Sequence, residues 1–97
     1  TGSALLAKTG LIDGMRATSN KRAFDWVVSV NPSVLWQRHA RWVSDGKFYS
    51  SSGVSAGIDM ALGFISDRSG EEKVREIADS MEYVRNSNPA DDLFALD

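Results

Sequence analysis

The chain has 97 residues, enough for one domain at most, with 42% apolar and 25% charged residues, the balance of a globular chain. A formal net charge of −2 and a pI of about 5.3 give no electrostatic reason to expect nucleic acid or an anionic membrane as partner. The absence of cysteine excludes disulfides and thiolate metal sites within the chain, and a single histidine cannot build a His-rich one, so neither metal nor cofactor is expected.

In chain order, Thr1 to Lys8 reads as a short helix. Ala4, Leu5, Leu6 and Ala7 favour it, Gly10 is placed to cap it, and its small apolar composition predicts burial on most sides. Asp13-Gly14 marks a turn, and Met15 to Ser19 reads as a strand ending in Ala-Thr-Ser. Lys21 to Val30 reads as a second helix, with Ser19 or Asn20 as N-cap, a stripe of Phe24, Val27 and Val28, and a stop at Asn31-Pro32. Leu35 to Ser44 suits an extended segment, Asp45-Gly46 is the strongest hairpin signal, and Lys47 to Ser51 reads as the returning strand.

Gly53 to Asp67 begins as a glycine- and serine-rich turn and becomes a helix with Ile58, Ala61, Leu62 and Ile65 on one face. Ser69-Gly70-Glu71-Glu72 fits a capping box with Ser69 as cap. Val74, Ile77, Ala78 and Met81 repeat the helical spacing, Asn86 to Pro89 ends it, and residues 86–97 form an acidic tail whose Leu93, Phe94 and Leu96 are placed to dock on a neighbour. No apolar run approaches the roughly 18 residues of a spanning helix, and no signal-peptide pattern is seen, so a cytoplasmic protein is expected.

Four features bear on chemistry. Thr1-Gly2-Ser3 runs straight into a helix, whose first N–H groups suit a developing oxyanion; taken alone, such a threonine is an ordinary N-cap. Ser50 to Gly57 is a small-residue turn between strand and helix. It lacks the spacing of a phosphate loop, and its Gly53 and Gly57 read as permitting tight packing. Asn20-Lys21 lies where a strand end meets a helix start, a usual place for functional groups in open α/β sheets, although a helix cap explains it equally well. His39, on the hairpin between Arg38 and Arg41, reads as a surface residue. Trp26, Trp36 and Trp42 read as core or interface aromatics.

The strings Thr1-Gly2-Ser3-Ala4-Leu5-Leu6-Ala7, Gly10-Leu11-Ile12-Asp13-Gly14 and Arg16-Ala17-Thr18-Ser19, followed by Ser51-Ser52-Gly53-Val54-Ser55-Ala56-Gly57-Ile58-Asp59-Met60-Ala61-Leu62, resemble the ThiJ/PfpI superfamily of class I glutamine amidotransferase-like proteins. The isonitrile-hydratase-like branch and its fungal relatives look most similar. The resemblance runs from Thr1 to about Arg85, and the two motif blocks in this order carry its specificity. It implies an α/β fold: the C-terminal half of a flavodoxin-like open, mostly parallel sheet flanked by helices, with a β-hairpin. Residues 1–97 would be the segment after the nucleophile turn.

In that family the residue before the Thr-Gly pair is the nucleophilic cysteine, and an acidic residue on an earlier strand assists it. By resemblance, Thr1 assists the substrate or the oxyanion, and Asn20 and Val54 form the substrate pocket wall. Many relatives carry a histidine after an Ala-Thr-Thr run, where this chain has Asn20, which disfavours a Cys–His protease-like mechanism.

The resemblance therefore implies part of a cysteine-dependent small-molecule hydratase or hydrolase, inactive alone because the nucleophile would precede Thr1. The expected partners are a small-molecule substrate, the N-terminal half and a second copy in a homodimer, without nucleic acid or membrane. The alternatives are a non-catalytic stress, regulatory or association subunit of the same fold, a protease- or deglycase-like member, and Thr1 as an N-terminal nucleophile using its own amine as base.

Overall fold

The computed structural model describes residues 2–95. Among these residues it is an α/β chain of nine elements. Helix α1 spans Gly2–Lys8, strand β1 Arg16–Ala17, a 3-10 turn Lys21–Ala23 and helix α2 Phe24–Val30. Strand β2 is Leu35–Trp36, β3 Trp42–Asp45 and β4 Phe48–Ser51, followed by helices α3 (Val54–Ser69) and α4 (Glu71–Ser80). Among the described residues, β1 pairs with β2 in parallel and β3 with β4 in antiparallel, so the one mostly parallel sheet of the sequence reading is here two pairs.

The hairpin forms where its turn residues require it. The register pairs Asp45 with Phe48 and leaves Gly46-Lys47 as a two-residue loop. Gly46 has φ 60°, the positive value that this loop position needs and that glycine adopts without steric cost. Side chains hold β1 beside the hairpin: the Arg16 amide donates to Asp45 Oδ2 at 2.8 Å and the Thr18 amide to Ser50 Oγ at 3.0 Å. The predicted extended run from Leu35 to Ser44 is broken at residues 37–41. Its two ends serve different strand pairs.

The core has two parts. Ala7, Ile12, Ala17 and Val34 are buried together under α1, and Leu62, Val74 and Ala78 are buried between α3 and α4. Only Ala4 and Ala7 of α1 are buried, while Leu5 is 67% exposed, so the helix buries one side rather than most of its surface. Trp42 is in the core, Trp36 is half-buried against Phe24 and Trp26 is exposed, so the three tryptophans do not share one role.

Helix α3 also differs from its predicted face. It buries Ala56, Asp59, Leu62 and Gly63, whereas Ala61 and Ile58 are exposed. The reason is Trp42, whose indole lies where a side chain on residue 63 would be: a Cβ there would come within 3.1 Å of Nε1. The packing glycine is therefore Gly63. A Cβ on Gly57 would meet only Ser51 Oγ at 3.6 Å, an ordinary contact, and one on Gly53 would meet nothing within 4 Å.

The capping box does not form. Ser69 is the last residue of α3, and Gly70, with φ 89°, makes the corner into α4 without a side-chain cap. Glu71 instead accepts from the Ser66 hydroxyl and pairs with Arg85. Beyond α4 the tail folds back across the hairpin: the carbonyl of Pro89 accepts from the amides of Arg41 and Trp42 at 2.6 and 3.2 Å.

Gly63→Val should lower stability by about 1–3 kcal/mol through overpacking against Trp42, read as a lower urea midpoint with an unchanged m-value. Gly57→Ala should raise stability by roughly 0.5–1 kcal/mol from helix propensity. Equal midpoints for the two variants would refute this assignment of the close contact.

Candidate functional site

The end of β1 is the anchor of the site. Thr18 and Ser19 are completely enclosed, at 0% and 1% exposure. The Thr18 hydroxyl donates to the Gln37 carbonyl at 2.8 Å and accepts from Lys21 Nζ at 2.9 Å. The Thr18 carbonyl accepts from the Ser3 hydroxyl at 2.8 Å, which fixes the start of α1 against the end of β1. Ala-Thr-Ser thus joins α1, the hairpin and the start of the 3-10 turn in one hydrogen-bonded junction.

A cavity of about 450 Å³ opens over this junction, lined by Gly2, Ser3, Asn20, Ser52, Val54 and Met60 among others. The two motif blocks meet here, and Asn20 and Val54 line the same space. Val54 stands on the rim, 92% exposed. Thr1 lies outside the described residues, as does Leu96. Asn20 occupies the N-cap position of the 3-10 turn with extended backbone, but its side chain makes no capping hydrogen bond. Its Oδ1 is buried without a hydrogen-bond partner among the described residues. A buried acceptor in that state is costly unless something else donates to it. His39 is exposed in the turn between β2 and β3, not on the hairpin, and does not line this cavity.

Two buried ion pairs flank the site, and neither was apparent in the sequence. Lys21 and Asp92 meet at 3.1 Å with side chains 3% and 2% exposed. Lys21 Nζ also donates to Thr18 Oγ1, Ser19 O and Ala40 O at 2.9–3.0 Å, contacts that use its three protons. Asp92 therefore balances its charge more than it accepts a further directed bond. Burial pulls the Lys21 ammonium below its ordinary pKa, and Asp92 offsets only part of that. For Asp92, burial pushes the carboxyl up, but the Ser52 hydroxyl, the Phe94 amide and Lys21 together leave it below its usual value.

Arg41 and Asp59 form the second pair. Nε and Nη2 both reach Oδ2, at 2.9 and 2.7 Å, and Asp59 is 0% exposed. Asp59 Oδ1 accepts from the Asn86 amide at 3.0 Å, so this carboxylate also holds the tail. Asp59 sits within the apolar spacing of α3, three residues before Leu62, and that placement was the one available sign of a buried charge.

A second cavity of about 450 Å³ adjoins the first, and Asn20, Ser52 and Gly53 line both. Its other walls include Lys21, Ala56, Asp92 and Phe94. A third, of about 470 Å³, lies under the tail beside Trp42 and Gly63, where Arg85 pairs with Glu71 at 2.8 Å.

Chemically, the described residues supply hydroxyls, an amide and closely held charges. They place no nucleophile beside a free base, because Lys21 Nζ is committed to its acceptors. No group of three or more His, Asp or Glu side chains among the described residues is arranged to hold a metal ion, and no described helix is long and apolar enough to cross a membrane.

No family model matches the chain. It is 30% identical over 84 residues to isonitrile hydratase from Pseudomonas putida, a match covering 87% of this chain and 36% of that protein. The chain thus spans about a third of the length of the curated relative it matches. The similarity supports a distant relationship to isonitrile hydratase.

The Lys21–Asp92 pair makes attachment of the tail sensitive to acid. The folded pKa of Asp92 lies below its ordinary 3.8, so its contribution is fully present above the unfolded value and is lost as pH falls through the folded one. Hydrogen exchange at the Asp92 and Phe94 amides should therefore accelerate only below that ordinary value. Lys21→Met, which leaves Asp92 buried and unpaired, should cost about 3–5 kcal/mol at neutral pH in chemical denaturation. A neutral effect of Lys21→Met would show that the pair does not hold the tail.

Proposed function

We propose that this chain is the C-terminal part of a ThiJ/PfpI-type, cysteine-dependent hydratase acting on isonitriles or similar small electrophiles. The observation that carries the reading is the convergence of Gly2 and Ser3, Asn20 and the Ser52–Val54 turn on one cavity. Gly2, Ser3 and Ser52–Val54 come from the two sequence blocks that resemble the family, Asn20 directly follows the first, and the similarity to isonitrile hydratase covers 84 of the 97 residues. The nucleophile is a cysteine immediately before Thr1. Thr1 assists at the oxyanion, and Asn20 and Val54 wall the substrate.

In the proposed reaction the thiolate sulfur bonds to the terminal isonitrile carbon while an acidic group on an earlier strand protonates that carbon, giving a thioformimidate. Water then adds to the same carbon and gives one proton to the nitrogen, the carbon–sulfur bond breaks to return the thiolate, and the remaining water proton returns to the acidic group, leaving the N-formamide. Asn20, with its unpartnered buried Oδ1, is placed to accept a hydrogen bond from the N–H that forms on the intermediate and on the formamide, since the isonitrile itself carries no donor.

A second reading has one observation in its favour. Strand β2 pairs with β1 alone among the described strands, which leaves it at the edge of that pair. On this reading the chain works by association, with the rest of the protein or with a second copy. Light scattering discriminates, since a 10.6 kDa monomer at all concentrations argues against it.

The intact protein should convert an alkyl isonitrile to its N-formamide, and the 97-residue chain should give no rate above background. Asn20→Ala should lower kcat about three- to tenfold with KM little changed, the loss of one hydrogen bond that forms only once the nitrogen is protonated. Turnover by the 97-residue chain, or a residue other than cysteine before Thr1, overturns the proposal.

A further inference from the structure

We propose that the second cavity is the subsite for the apolar substituent of the substrate, and that Ala56 and Phe94 set which substituents are accepted. The inference rests on the reading of the adjoining cavity as the place of the reacting end. The two spaces are continuous in their lining: Asn20, Ser52 and Gly53 belong to both. A molecule with its polar end at Asn20 therefore has one direction in which a substituent can extend past Ser52 and Gly53, toward Ala56 and Phe94.

The chemistry of that second space is apolar despite the charged names in its wall. Lys21 is neutralised by Asp92 and Arg41 by Asp59; the Lys21 protons go to Thr18, Ser19 and Ala40, and Arg41 Nε and Nη2 reach Asp59 Oδ2. Both cations are consumed, so the space offers no free charge from either pair to a ligand. It is bounded by the methyl of Ala56, which is 2% exposed, and by the ring of Phe94 at the lip. Phe94 is 74% exposed, an apolar ring left in water at the mouth of a cavity, where a bound hydrocarbon chain would cover it. A volume of about 450 Å³ accommodates a chain of several carbons. The ligand class is accordingly a small polar head carrying an aliphatic or benzylic substituent. Arg22 also lines the space, exposed and outside both pairs, so a cationic substituent would be repelled as well as lose its hydration.

The test uses the 97-residue chain and two non-reacting probes, N-hexylformamide and N-methylformamide, followed by NMR. Each buried methylene is worth about fourfold in transfer from water, so partial burial of the hexyl chain should give at least about tenfold tighter binding than methyl. The shifts should include the Ala56 methyl and the Phe94 ring. Ala56→Leu should remove the hexyl preference, and Phe94→Ala, a change at an exposed position that leaves the fold intact, should reduce it about threefold. Equal affinities, or hexyl-dependent shifts confined to other residues, overturn the subsite.

In the intact protein, kcat/KM should rise with substituent length in parallel. Isonitrile turnover without any length preference refutes the subsite and leaves the hydratase reading standing. Tight hexyl binding at Ala56 and Phe94 without isonitrile turnover refutes the hydratase reading and supports the apolar subsite.

Discussion

Lys21 and Arg41 carry positive charge into an interior that a chain of this size can hardly afford to leave unbalanced. Each is met by a carboxylate from another part of the sequence, Asp92 and Asp59, with side chains at most 10% exposed. Such pairs contribute little net stability relative to a packed apolar core, but each partner is very costly to leave alone. Their effect is to select one arrangement. With Lys21 beside Thr18 and Asp92 over Lys21, the tail lies across the hairpin, and with Asp59 under Arg41, α3 is set against β3. The walls of both cavities follow from these two pairings.

The same constraint explains an uneven core. Strands of two to four residues cannot supply a broad apolar layer, and α1 buries little beyond two alanines. Side-chain hydrogen bonds from Asp45 and Ser50 to β1 take the place of a longer ladder. Polar groups thus do much of the positioning that larger α/β domains leave to sheet and core, and the junction they build is also the wall of the candidate site.

Much of this order was legible in the sequence where local chemistry decides it. Asp45-Gly46 announced the hairpin, although the loop proper is Gly46-Lys47, and Val74 and Ala78 fell on the buried side of α4 as their spacing required. The resemblance named Asn20 and Val54 together, and both line one cavity. The α3 face was misread because apolar periodicity assigns the interior to large hydrophobic side chains. Here the close contact needs the smallest residue, Gly63, to admit Trp42, and a charge, Asp59, to meet Arg41. Ser69 looked like a cap, but α3 continues through it and Gly70 alone makes the corner. Lys21 and Asp92 were invisible as a pair, since nothing in either neighbourhood names a partner most of a chain away.

The late position of Asp92 bears on how the molecule matures. During synthesis Lys21 emerges long before its counter-charge, and closing so large a loop is entropically slow relative to forming the hairpin or the α3–α4 pair. A nascent chain that has reached the end of α4 holds Arg41 and Asp59 but has not yet made Asp92. At that stage the cavity beside Ala56 lacks its outer wall, and Lys21 must stay hydrated. Docking of the tail thus depends on a pairing that local folding of the hairpin and of α3–α4 does not need, and it completes the wall of the cavity beside Ala56.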